Sequence, residues 1–347
     1  MQTIKAAICS FGMSGWVFHA PFLDIHPGFE FYAVWERSKN LAQERYPQVT
    51  VYRTFESLLA DDAIELVIVN TPNTTHYEYT KMALLAGKHV VCEKPFTVTV
   101  QEAAELTAIA KEQQKILTVY HNRRYDSDFR TIRSVLEKGL IGNIVEAEFH
   151  FDRFKEEISP KAHKEVSMPG TGCLYDLGSH LIDQAIQLFG MPEAVFADIT
   201  IMRPVSKVDD YFELLLYYPK HRVRLKASYQ VREALPGYIL HGSKGSFIKP
   251  KTDVQEGQLQ ALLSPTDIKY GVEPASERGL LHTETNGQIV REYLDSHKGN
   301  YLDYYEGVFQ SIRNHQPLQV NPEEATQVIQ IIEAAFKSSL ERTVVKL

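Results

Sequence analysis

Short apolar stretches alternate with amphipathic stretches along the first third of the chain. The apolar stretches are rich in β-branched residues and end at polar or turn-forming residues, which is typical of buried strands. The stretches between them have the spacing of helices of about 10–15 residues. Strands and helices in this alternation predict parallel β-α-β units, and therefore a doubly wound parallel sheet in an α/β domain over residues 1–121. The predicted strands are TIKAAICSF, FEFYAVWE, VTVYR, IELVIVNTP, HVVCE and ILTVYHNRR.

The pattern changes after residue 121, because strand-like segments then follow one another with few helices between them. This succession predicts an α+β domain over residues 122–347 with a large, open and mostly antiparallel sheet. Residues 251–300 are predicted as loops with short strands, and two helices end the chain. Asn321 and Pro322 are predicted as the cap and first turn of the last helix. The predicted strands are NIVEAEFHFDRF, AVFADITIMRP, DYFELLLYYP, RVRLKASYQV and GYILHGSKGSFIKP.

The composition narrows the classes of protein to which the chain can belong. It has 347 residues, 44% of them hydrophobic and 23% charged, so about two ordinary globular domains are expected. The net charge of -7 and the lack of Lys/Arg runs argue against a nucleic-acid partner. Cys9, Cys92 and Cys173 fit neither a disulfide framework nor a zinc site, and no metal is expected. With neither a secretion signal nor an apolar run of about 20 residues, we expect a cytoplasmic protein without a membrane partner.

The turn after the first strand has the composition of a phosphate-binding loop. In SFGMSGWVFHAP, the positions of G-x-G-x-x-G are taken by Ser10, Gly12 and Gly15, so only the first glycine is replaced. Gly12 lets the backbone approach a pyrophosphate, and Gly15 permits close helix–strand packing. Because the following helix begins with unpaired N–H groups, Gly12, Met13, Ser14 and Gly15 are predicted to bind a dinucleotide. A plain tight turn is the alternative.

The end of the second strand carries residues that distinguish two nicotinamide dinucleotides. Glu36 lies about 20 positions beyond the glycines, where an acidic residue bonds the ribose 2′-hydroxyl of NAD. Arg37 and Ser38 follow at once and can instead hold the 2′-phosphate of NADP, although a solvated loop explains Arg37 equally well. The sequence therefore predicts NAD or NADP, with a slight preference for NAD.

Several motifs in a fixed order resemble the Gfo/Idh/MocA family of oxidoreductases. They are the glycine turn, NTPNTTH at residues 70–76 and EKP at residues 93–95, with YDLGSHLIDQ similar to the family's other active-site segment. The resemblance covers essentially the whole chain. It implies a Rossmann domain, an open-sheet domain, and C-terminal helices that return toward the first domain. HNRRYDSDF and HFDRF are most similar to the branch that contains the scyllo-inositol dehydrogenases.

Glu93, Lys94 and Pro95 follow a strand that is predicted to be buried, where two charges inside a core would be costly. Because ligands bind beyond the carboxyl ends of parallel strands, we expect the charged side chains to enter a cleft; a surface ion pair is the alternative. The resemblance implies that Glu93 lies near the nicotinamide ribose and that Lys94 reaches the substrate oxygen. Pro95 restricts Lys94, and a cis bond between them is one way to direct it.

The helix 174–189 is predicted to carry the second half of the site. At 100° per residue its polar side chains share one arc, namely Asp176, His180, Asp183, Gln184 and Gln187. A wet polar face explains this pattern as well. The i, i+4 spacing brings Asp176 near His180, and Gly178 on the apolar side indicates close backbone packing. The resemblance implies that Asp176 and His180 are the family's catalytic pair.

The resemblance implies further contacts at two places in the chain. The loop after the fourth predicted strand is expected to shape the cofactor pocket, with plain turn structure as the alternative; its residues are Thr71, Pro72, Asn73 and His76. The junction between the domains is expected to lie near nicotinamide and substrate; its residues are Asn122, Arg124 and Tyr125.

Asp152 and Arg153 end a strand of the second domain and are predicted to bind substrate hydroxyls, with an exposed ion pair as the equal alternative. His19 matches a recurrent position of the family, but helix packing is the favoured interpretation.

These features predict an NAD(P)-dependent dehydrogenase or reductase for a sugar, an inositol-like polyol or a related hydroxy/keto compound. Lys94 and His180 are predicted to handle the hydroxyl proton jointly, because imidazole accepts a proton near neutrality and an ammonium group polarises oxygen. The alternatives are a non-catalytic NAD(P)-binding regulator of the same fold and an imine or biliverdin-type reductase. Loops 155–170 and 250–290 are expected to select the substrate, and a homodimer or homotetramer through the open sheet is expected.

Overall fold

The computed structural model describes residues 3–159 and 165–347, and the chain divides into two compact units. Unit 1 comprises Met1–Asn122, Gln255–Tyr270 and Asn300–Thr326. Unit 2 comprises Arg123–Val254, Gly271–Gly299 and Gln327–Leu347. Each unit is therefore assembled from segments that are distant in sequence.

Unit 1 contains a six-stranded parallel sheet in the order β3-β2-β1-β4-β5-β6. The central strand Leu66–Val69 is a fully buried apolar run, as a parallel strand that is covered on both faces requires. The predicted doubly wound sheet is confirmed. The strands are β1 Ile4–Ile8, β2 Phe29–Trp35, β3 Thr50–Tyr52, β4 Leu66–Val69, β5 His89–Cys92 and β6 Leu117–Val119.

Helices connect these strands, and the chain's ninth α-helix joins them from far along the sequence. The first connection begins as a π-helical turn, Gly15–His19, before it becomes α-helical. Thr99 and Glu102 form a capping box that starts the longest connecting helix. The α-helices are α1 Ala20–Ile25, α2 Leu41–Arg45, α3 Phe55–Leu59, α4 His76–Leu85, α5 Val100–Glu112 and, in the late segment, α9 Leu302–Asn314.

Unit 2 contains a nine-stranded sheet in the order β14-β13-β12-β11-β7-β10-β9-β8-β15. Among the described strand pairs of this sheet, only β7–β10 is parallel, so the predicted mostly antiparallel sheet is confirmed. The strands are β7 Ile144–His150, β8 Ala194–Thr200, β9 Tyr211–Tyr217, β10 Arg222–Ser228, β11 Tyr238–Gly242, β12 Gly245–Lys249, β13 Gly279–Thr285, β14 Gln288–Leu294 and β15 Val345–Lys346.

The remaining helices differ in how well the sequence predicted them. The helix predicted over 174–189 is a π-helical turn, Leu174–Gly178, followed by α7 Ser179–Phe189. The cap predicted at Asn321 is confirmed, because its side-chain oxygen accepts the Glu324 N–H at 2.7 Å. The other α-helices are α6 Ser127–Glu137, α8 Val254–Gln260 and α10 Pro322–Glu341.

The prediction of loops with short strands over residues 251–300 was wrong in part. That segment contains α8 and the seven-residue strands β13 and β14. Asn286 and Gly287 join the two strands with positive φ angles of 54° and 77°. Asn-Gly is the preferred pair for such a two-residue turn, so the sequence did carry the signal for this hairpin. None of the helices in the described ranges is long and apolar enough to span a bilayer.

Candidate active site

The carboxyl ends of β1 and β4 meet in the middle of the parallel sheet. The strand order runs outward in opposite directions from this pair, and such a switch point is where these sheets bind ligands. The amide of Asn70, directly after β4, donates to the Ser10 carbonyl oxygen at 2.8 Å. This bond ties the glycine turn to the end of the neighbouring strand.

The glycine turn is crowded at one glycine and open at the other. A Cβ atom at Gly15 would overlap the Ser10 carbonyl oxygen, so only glycine fits there. At Gly12 a Cβ atom would lie 3.6 Å from the Ser10 hydroxyl, with no other described atom within 4 Å. Met13 is 41% exposed beside it. A backbone that is open at Gly12 and followed by a helical turn fits the pyrophosphate of a dinucleotide.

Glu36 is buried and its carboxylate caps a helix. The two carboxylate oxygens accept the N–H groups of Leu41 and Ala42 at 3.1 and 3.0 Å, at the start of α2. Such bonds satisfy N–H groups that a helix start leaves without partners. The cap fixes the carboxylate in place and occupies one acceptor site on each of its oxygens.

Arg37 and Ser38 are exposed on the loop that follows Glu36. The guanidinium of Arg53 holds this loop in place, because it donates to the Glu36 and Lys39 carbonyl oxygens at 2.9 and 2.6 Å. The loop after β2 is thus a fixed structure with cationic and hydroxyl side chains on its outside.

Glu93 directly follows β5 and binds three parts of unit 1. One carboxylate oxygen lies 2.5 Å from the Ser14 hydroxyl and 3.0 Å from His19 Nε2. The other oxygen accepts the backbone N–H of Lys94 at 3.1 Å. The peptide bond between Lys94 and Pro95 is cis. Glu93 therefore joins the glycine turn to the lysine that the sequence assigned to catalysis.

The surroundings of Glu93 keep its side chain ionised. Burial alone would raise the pKa of Glu93, but the His19 and Ser14 hydrogen bonds and the nearby His19 and Lys94 outweigh it and lower the pKa to about 2. Because the folded pKa lies below the ordinary value of 4.5, Glu93 stabilises the fold above that pH. This contribution is lost as the pH falls from 4.5 toward 2.

His76 joins the loops that follow β4 and β5. Its Nδ1 lies 2.8 Å from the Pro95 carbonyl oxygen, and its Nε2 lies 3.0 Å from the Thr71 carbonyl oxygen. Burial lowers the pKa of His76. The contacts support a role of His76 in shaping this part of the molecule. Pro72 is exposed, and Asn73 begins a short 3₁₀ turn beside it.

In unit 2, the segment after Asn122 is buried and held by ion pairs. Arg124 donates through two nitrogens to the Asp183 carboxylate of α7, with a shortest distance of 2.6 Å. Both side chains are almost fully buried. Tyr125 is buried as well, with the guanidinium of Arg130 5.6 Å from its ring centre. The structure thus places Arg124 in a bidentate pair within the protein, a contact that the sequence did not predict.

The polar arc of α7 is not a wet surface. His180, Asp183 and Gln184 are buried, and the Gln184 amide binds the Arg123 carbonyl oxygen and the Tyr238 hydroxyl at 3.3 and 3.1 Å. The alternative of a solvated helix face is therefore excluded for these three residues. The arc faces other parts of unit 2.

The π-helical turn changes the expected relation between Asp176 and His180. Within this turn the Ser179 N–H bonds the Leu174 carbonyl oxygen five residues back, so the α-helical angle of 100° per residue does not apply to Asp176. His180 is the second residue after this turn, with its ring centre 6.4 Å from that of Phe151. Close packing at Gly178 is seen, because a Cβ atom there would lie 2.6 Å from Leu174 Cδ1. The catalytic role of the pair stays a prediction.

Asp152 and Arg153 lie at the end of β7. The Asp152 carboxylate accepts the Ser228 N–H at 3.0 Å and lies 3.5 Å from His150 Nδ1. Burial opposes a charge on His150, but Asp152 and Glu148 outweigh it and raise the pKa of His150. The guanidinium of Arg153 lies 5.0 Å from the ring centre of Phe151. Asp152 therefore forms a nearly buried pair rather than the exposed one considered from the sequence.

Two groups of buried polar residues were not predicted as site components. Arg123 binds Asp126 and Asp253 at 3.1 and 2.6 Å, and burial with the nearby Asp253 raises the pKa of Asp126 to about 7. His19 binds Tyr305 of α9 at 2.6 Å. The density of charges in HNRRYDSD was a usable signal for the first group, whereas partners 286 residues apart left no local signal for the second.

The predicted site residues are divided between the two units. Unit 1 contains the predicted cofactor residues Gly12–Gly15, Glu36–Ser38, Thr71–Asn73, His76, Glu93, Lys94 and Asn122. Unit 2 contains Arg124, Tyr125, Asp152, Arg153, Asp176 and His180. The convergence of Lys94 and His180 on one substrate atom stays a prediction. Of the loops expected to select the substrate, residues 160–164 lie outside the described ranges. Within those ranges, no group of three or more His, Cys, Asp or Glu residues could hold a metal ion.

Comparison with known proteins finds relatives along the whole chain. Residues 4–121 match the profile "Oxidoreductase family, NAD-binding Rossmann fold", and residues 133–347 match "Oxidoreductase family, C-terminal alpha/beta domain". The Bacillus subtilis protein named scyllo-inositol 2-dehydrogenase (NADP(+)) IolW is 39% identical, over 100% of this chain and 97% of its own length.

Solved structures share the architecture. A crystal structure of a Bacteroides fragilis protein is 48% identical, with a TM-score of 0.92 over 100% of both chains. The structure of YvaA from Bacillus subtilis is 39% identical, with a TM-score of 0.95 over 100% of this chain and 99% of that one. The prediction of an NAD(P)-dependent oxidoreductase is confirmed by the profile matches and these relatives.

The two glycines of the turn should respond differently to alanine. Gly15→Ala should lower the free energy of unfolding by about 1–3 kcal/mol, because its Cβ atom overlaps the Ser10 carbonyl oxygen. Gly12→Ala should leave the stability of the ligand-free protein unchanged and weaken the binding of NAD(H) or NADP(H), because its Cβ atom occupies the open space. Urea unfolding and nucleotide titration measure the two effects. Equal loss of stability in both variants would contradict this assignment.

Proposed function

Because the chain belongs to the Gfo/Idh/MocA family of oxidoreductases, we propose that it transfers hydride between NAD(P) and a sugar, an inositol-like polyol or a related hydroxy/keto compound. The observation that carries the proposal is the position of Glu93 and Lys94 at the end of β5. Glu93 binds both the glycine turn and the Lys94 backbone, so the backbone of this lysine is held at the ligand-binding end of a Rossmann sheet. The IolW relative, named as an inositol dehydrogenase, supports the substrate class.

The proposed reaction removes a C–H hydride and an O–H proton from the same CH–OH group. Nicotinamide, when bound, supplies the acceptor of the hydride. The Lys94 ammonium polarises the substrate oxygen, and the His180 imidazole accepts the hydroxyl proton as the carbonyl forms. In the reducing direction the same two groups return a proton to the oxygen. Asp176 is proposed to orient His180.

Two other functions fit the same fold. A regulator that binds NAD(P) without turnover would bind the nucleotide tightly and oxidise none of the polyols. An imine or biliverdin-type reductase would consume reduced nucleotide with imines or biliverdin-type compounds but not with polyols. The presence of both Lys94 and His180 favours a CH–OH substrate over either alternative.

Hydride transfer should depend on Lys94 and His180. Lys94→Met and His180→Asn should each lower kcat by about 10²–10⁴-fold, the usual contribution of a positioned acid or base. Lys81→Met is the control, because Lys81 pairs with Glu105 on the surface and should leave kcat unchanged. The measurement is absorbance of reduced nicotinamide with a library of inositols and aldoses. Near-normal turnover of a folded Lys94→Met protein would refute the mechanism.

For the cofactor we propose NADP rather than the NAD that the sequence slightly favoured. Both carboxylate oxygens of Glu36 already accept helix N–H groups, so its repulsion of a 2′-phosphate is weakened and its use for a ribose hydroxyl is reduced. Arg37 and Ser38 are exposed on a loop that Arg53 holds in place. The relative named for NADP(+) agrees with this choice.

Arg37→Met should separate the two cofactors. We expect the KM for NADPH to rise about 10–100-fold, because a hydrogen bond to a charged group contributes about 1.5–3 kcal/mol. The KM for NADH, which lacks the 2′-phosphate, should change little and serves as the internal control. Steady-state kinetics with both nucleotides give the answer. A wild-type protein that prefers NADH would overturn the proposal.

For the partner we propose a second copy of the chain on the outer face of the nine-stranded sheet. Strand pairing places one residue from each of eight strands in a row on that face. The row runs Phe196, Leu215, Arg224, Glu148, Ile239, Ile248, Leu280 and Tyr293, and its two charges form an ion pair at 2.7 Å. Tyr293 is 59% exposed and Phe196 37% exposed at its ends. A mainly apolar row whose two charges pair with each other suits a symmetric contact with a second copy.

Sedimentation should show a dimer or tetramer at micromolar concentration. Ile239→Lys should shift it toward the monomer, because a contact across this face would bury the added charge. Leu262→Lys, at an exposed leucine of unit 1, should leave the oligomer unchanged. A stable wild-type monomer would refute the proposal.

A further inference from the structure

A chain of hydrogen bonds leads from the buried Tyr305 of α9 to the candidate active site. The Tyr305 hydroxyl lies 2.6 Å from His19 Nδ1, and His19 Nε2 lies 3.0 Å from Glu93 Oε1. Tyr305 and His19 are fully buried. These three residues belong to one unit although Tyr305 and His19 are separated by 286 positions in the sequence.

The Glu93 carboxylate determines which atom is the donor in its hydrogen bond with His19. An ionised carboxylate only accepts hydrogen bonds, so the hydrogen between His19 and Glu93 resides on Nε2. In the neutral ring Nδ1 is then an acceptor, and the Tyr305 hydroxyl is its donor. In the protonated ring Nδ1 donates to the Tyr305 oxygen, whose own hydrogen faces the Phe18 carbonyl oxygen at 3.5 Å. Hydroxyl, imidazole and carboxylate thus form a sequence in which each group orients the next, as the outer partners of functional imidazoles do.

Glu93, at the other end of this series of hydrogen bonds, contacts the candidate active site. The Glu93 oxygen that accepts from His19 also accepts from the Ser14 hydroxyl, and the second oxygen accepts from the Lys94 N–H. We propose that Tyr305 and His19 are positioning residues: they hold the Glu93 carboxylate so that it fixes both Ser14 of the glycine turn and the backbone of Lys94. For Lys94 this inference rests on the proposed function; for the glycine turn it rests on nucleotide binding alone.

The aromatic cluster around Tyr305 contains two further tyrosines with different partners. Tyr304 contacts Thr118 Oγ1 at 3.2 Å, and Tyr120 donates to the Phe18 carbonyl oxygen at 2.9 Å. Ring packing by itself needs no hydroxyl, and the Tyr305 ring is stacked 5.5 Å from that of Phe22. Among the three hydroxyls, that of Tyr305 is hydrogen-bonded to the histidine that contacts Glu93. Tyr304 is therefore a matched control from the adjacent position of the same helix.

The test compares Tyr305→Phe with Tyr304→Phe in the full-length protein. Tyr305→Phe should weaken NADPH binding by about threefold to tenfold and lower kcat by about tenfold, as expected when one positioning hydrogen bond is lost. Tyr304→Phe should change both values less than twofold. Thermal unfolding should shift by a similar amount in the two variants, since each loses one buried hydroxyl.

Coupling to Glu93 distinguishes positioning from general stability. In a Glu93→Gln background, Tyr305→Phe should have no further effect on NADPH binding or kcat, because the group that it positions is already changed. Additive losses, or equal losses in the two tyrosine variants, would overturn the inference. His19→Gln, which keeps an N–H donor for Glu93, should retain more activity than His19→Leu. If Tyr305→Phe does not fold, His19→Gln takes its place in the comparison with the Glu93→Gln background, and additive losses would again overturn the inference.

The NADPH dissociation constant separates this inference from the proposed function. If the wild-type protein oxidises no polyol but Tyr305→Phe weakens NADPH binding as expected, only the proposed substrate class fails. If turnover is found and Tyr305→Phe binds NADPH and turns over like the wild type, the positioning role fails and the proposed function stands.

Discussion

The arrangement of unit 1 depends on one ionised carboxylate at the end of a buried strand. Glu93 accepts hydrogen bonds from Ser14, His19 and the backbone of Lys94, so parts of the chain that are about 80 residues apart meet at its two oxygens. A buried carboxylate without such donors would become protonated, which is why the surrounding groups and the charge depend on each other. Removing one donor therefore affects the glycine turn and the lysine together.

In unit 2, buried ion pairs fix the positions of segments that are distant in sequence, as Glu93 does in unit 1. Arg124 with Asp183 and Lys249 with Glu273 are almost entirely withdrawn from water. Such pairs add little net stability relative to apolar packing, but breaking one leaves a buried charge at a cost of about 3–5 kcal/mol. The Arg124–Asp183 pair consequently makes one arrangement of the segment after Asn122 much more favourable than others. This pair joins the segment to α7, the helix that bears His180.

The sequence predicted most of the fold, because the buried side of each strand or helix requires apolar residues at a regular spacing. The glycine turn, the strand end at Glu93 and the cap at Asn321 were all visible locally. Asn286 and Gly287 also indicate the β13–β14 hairpin, but the polar residues of the surrounding segment favoured the prediction of loops there. The π-helical turn before His180 was not readable, since an α-helical period fits the same residues.

The sequence by itself determined which chemical groups stand at the ends of the parallel strands, because strand, turn and helix signals are local. Tertiary structure decided what those groups bind. Glu36 caps a helix and His19 joins Tyr305 to Glu93, and neither contact follows from residue type or spacing. The physical reason is that a buried polar atom must find a partner, and the partner's identity depends on which distant segments the packed core brings within about 3 Å of it.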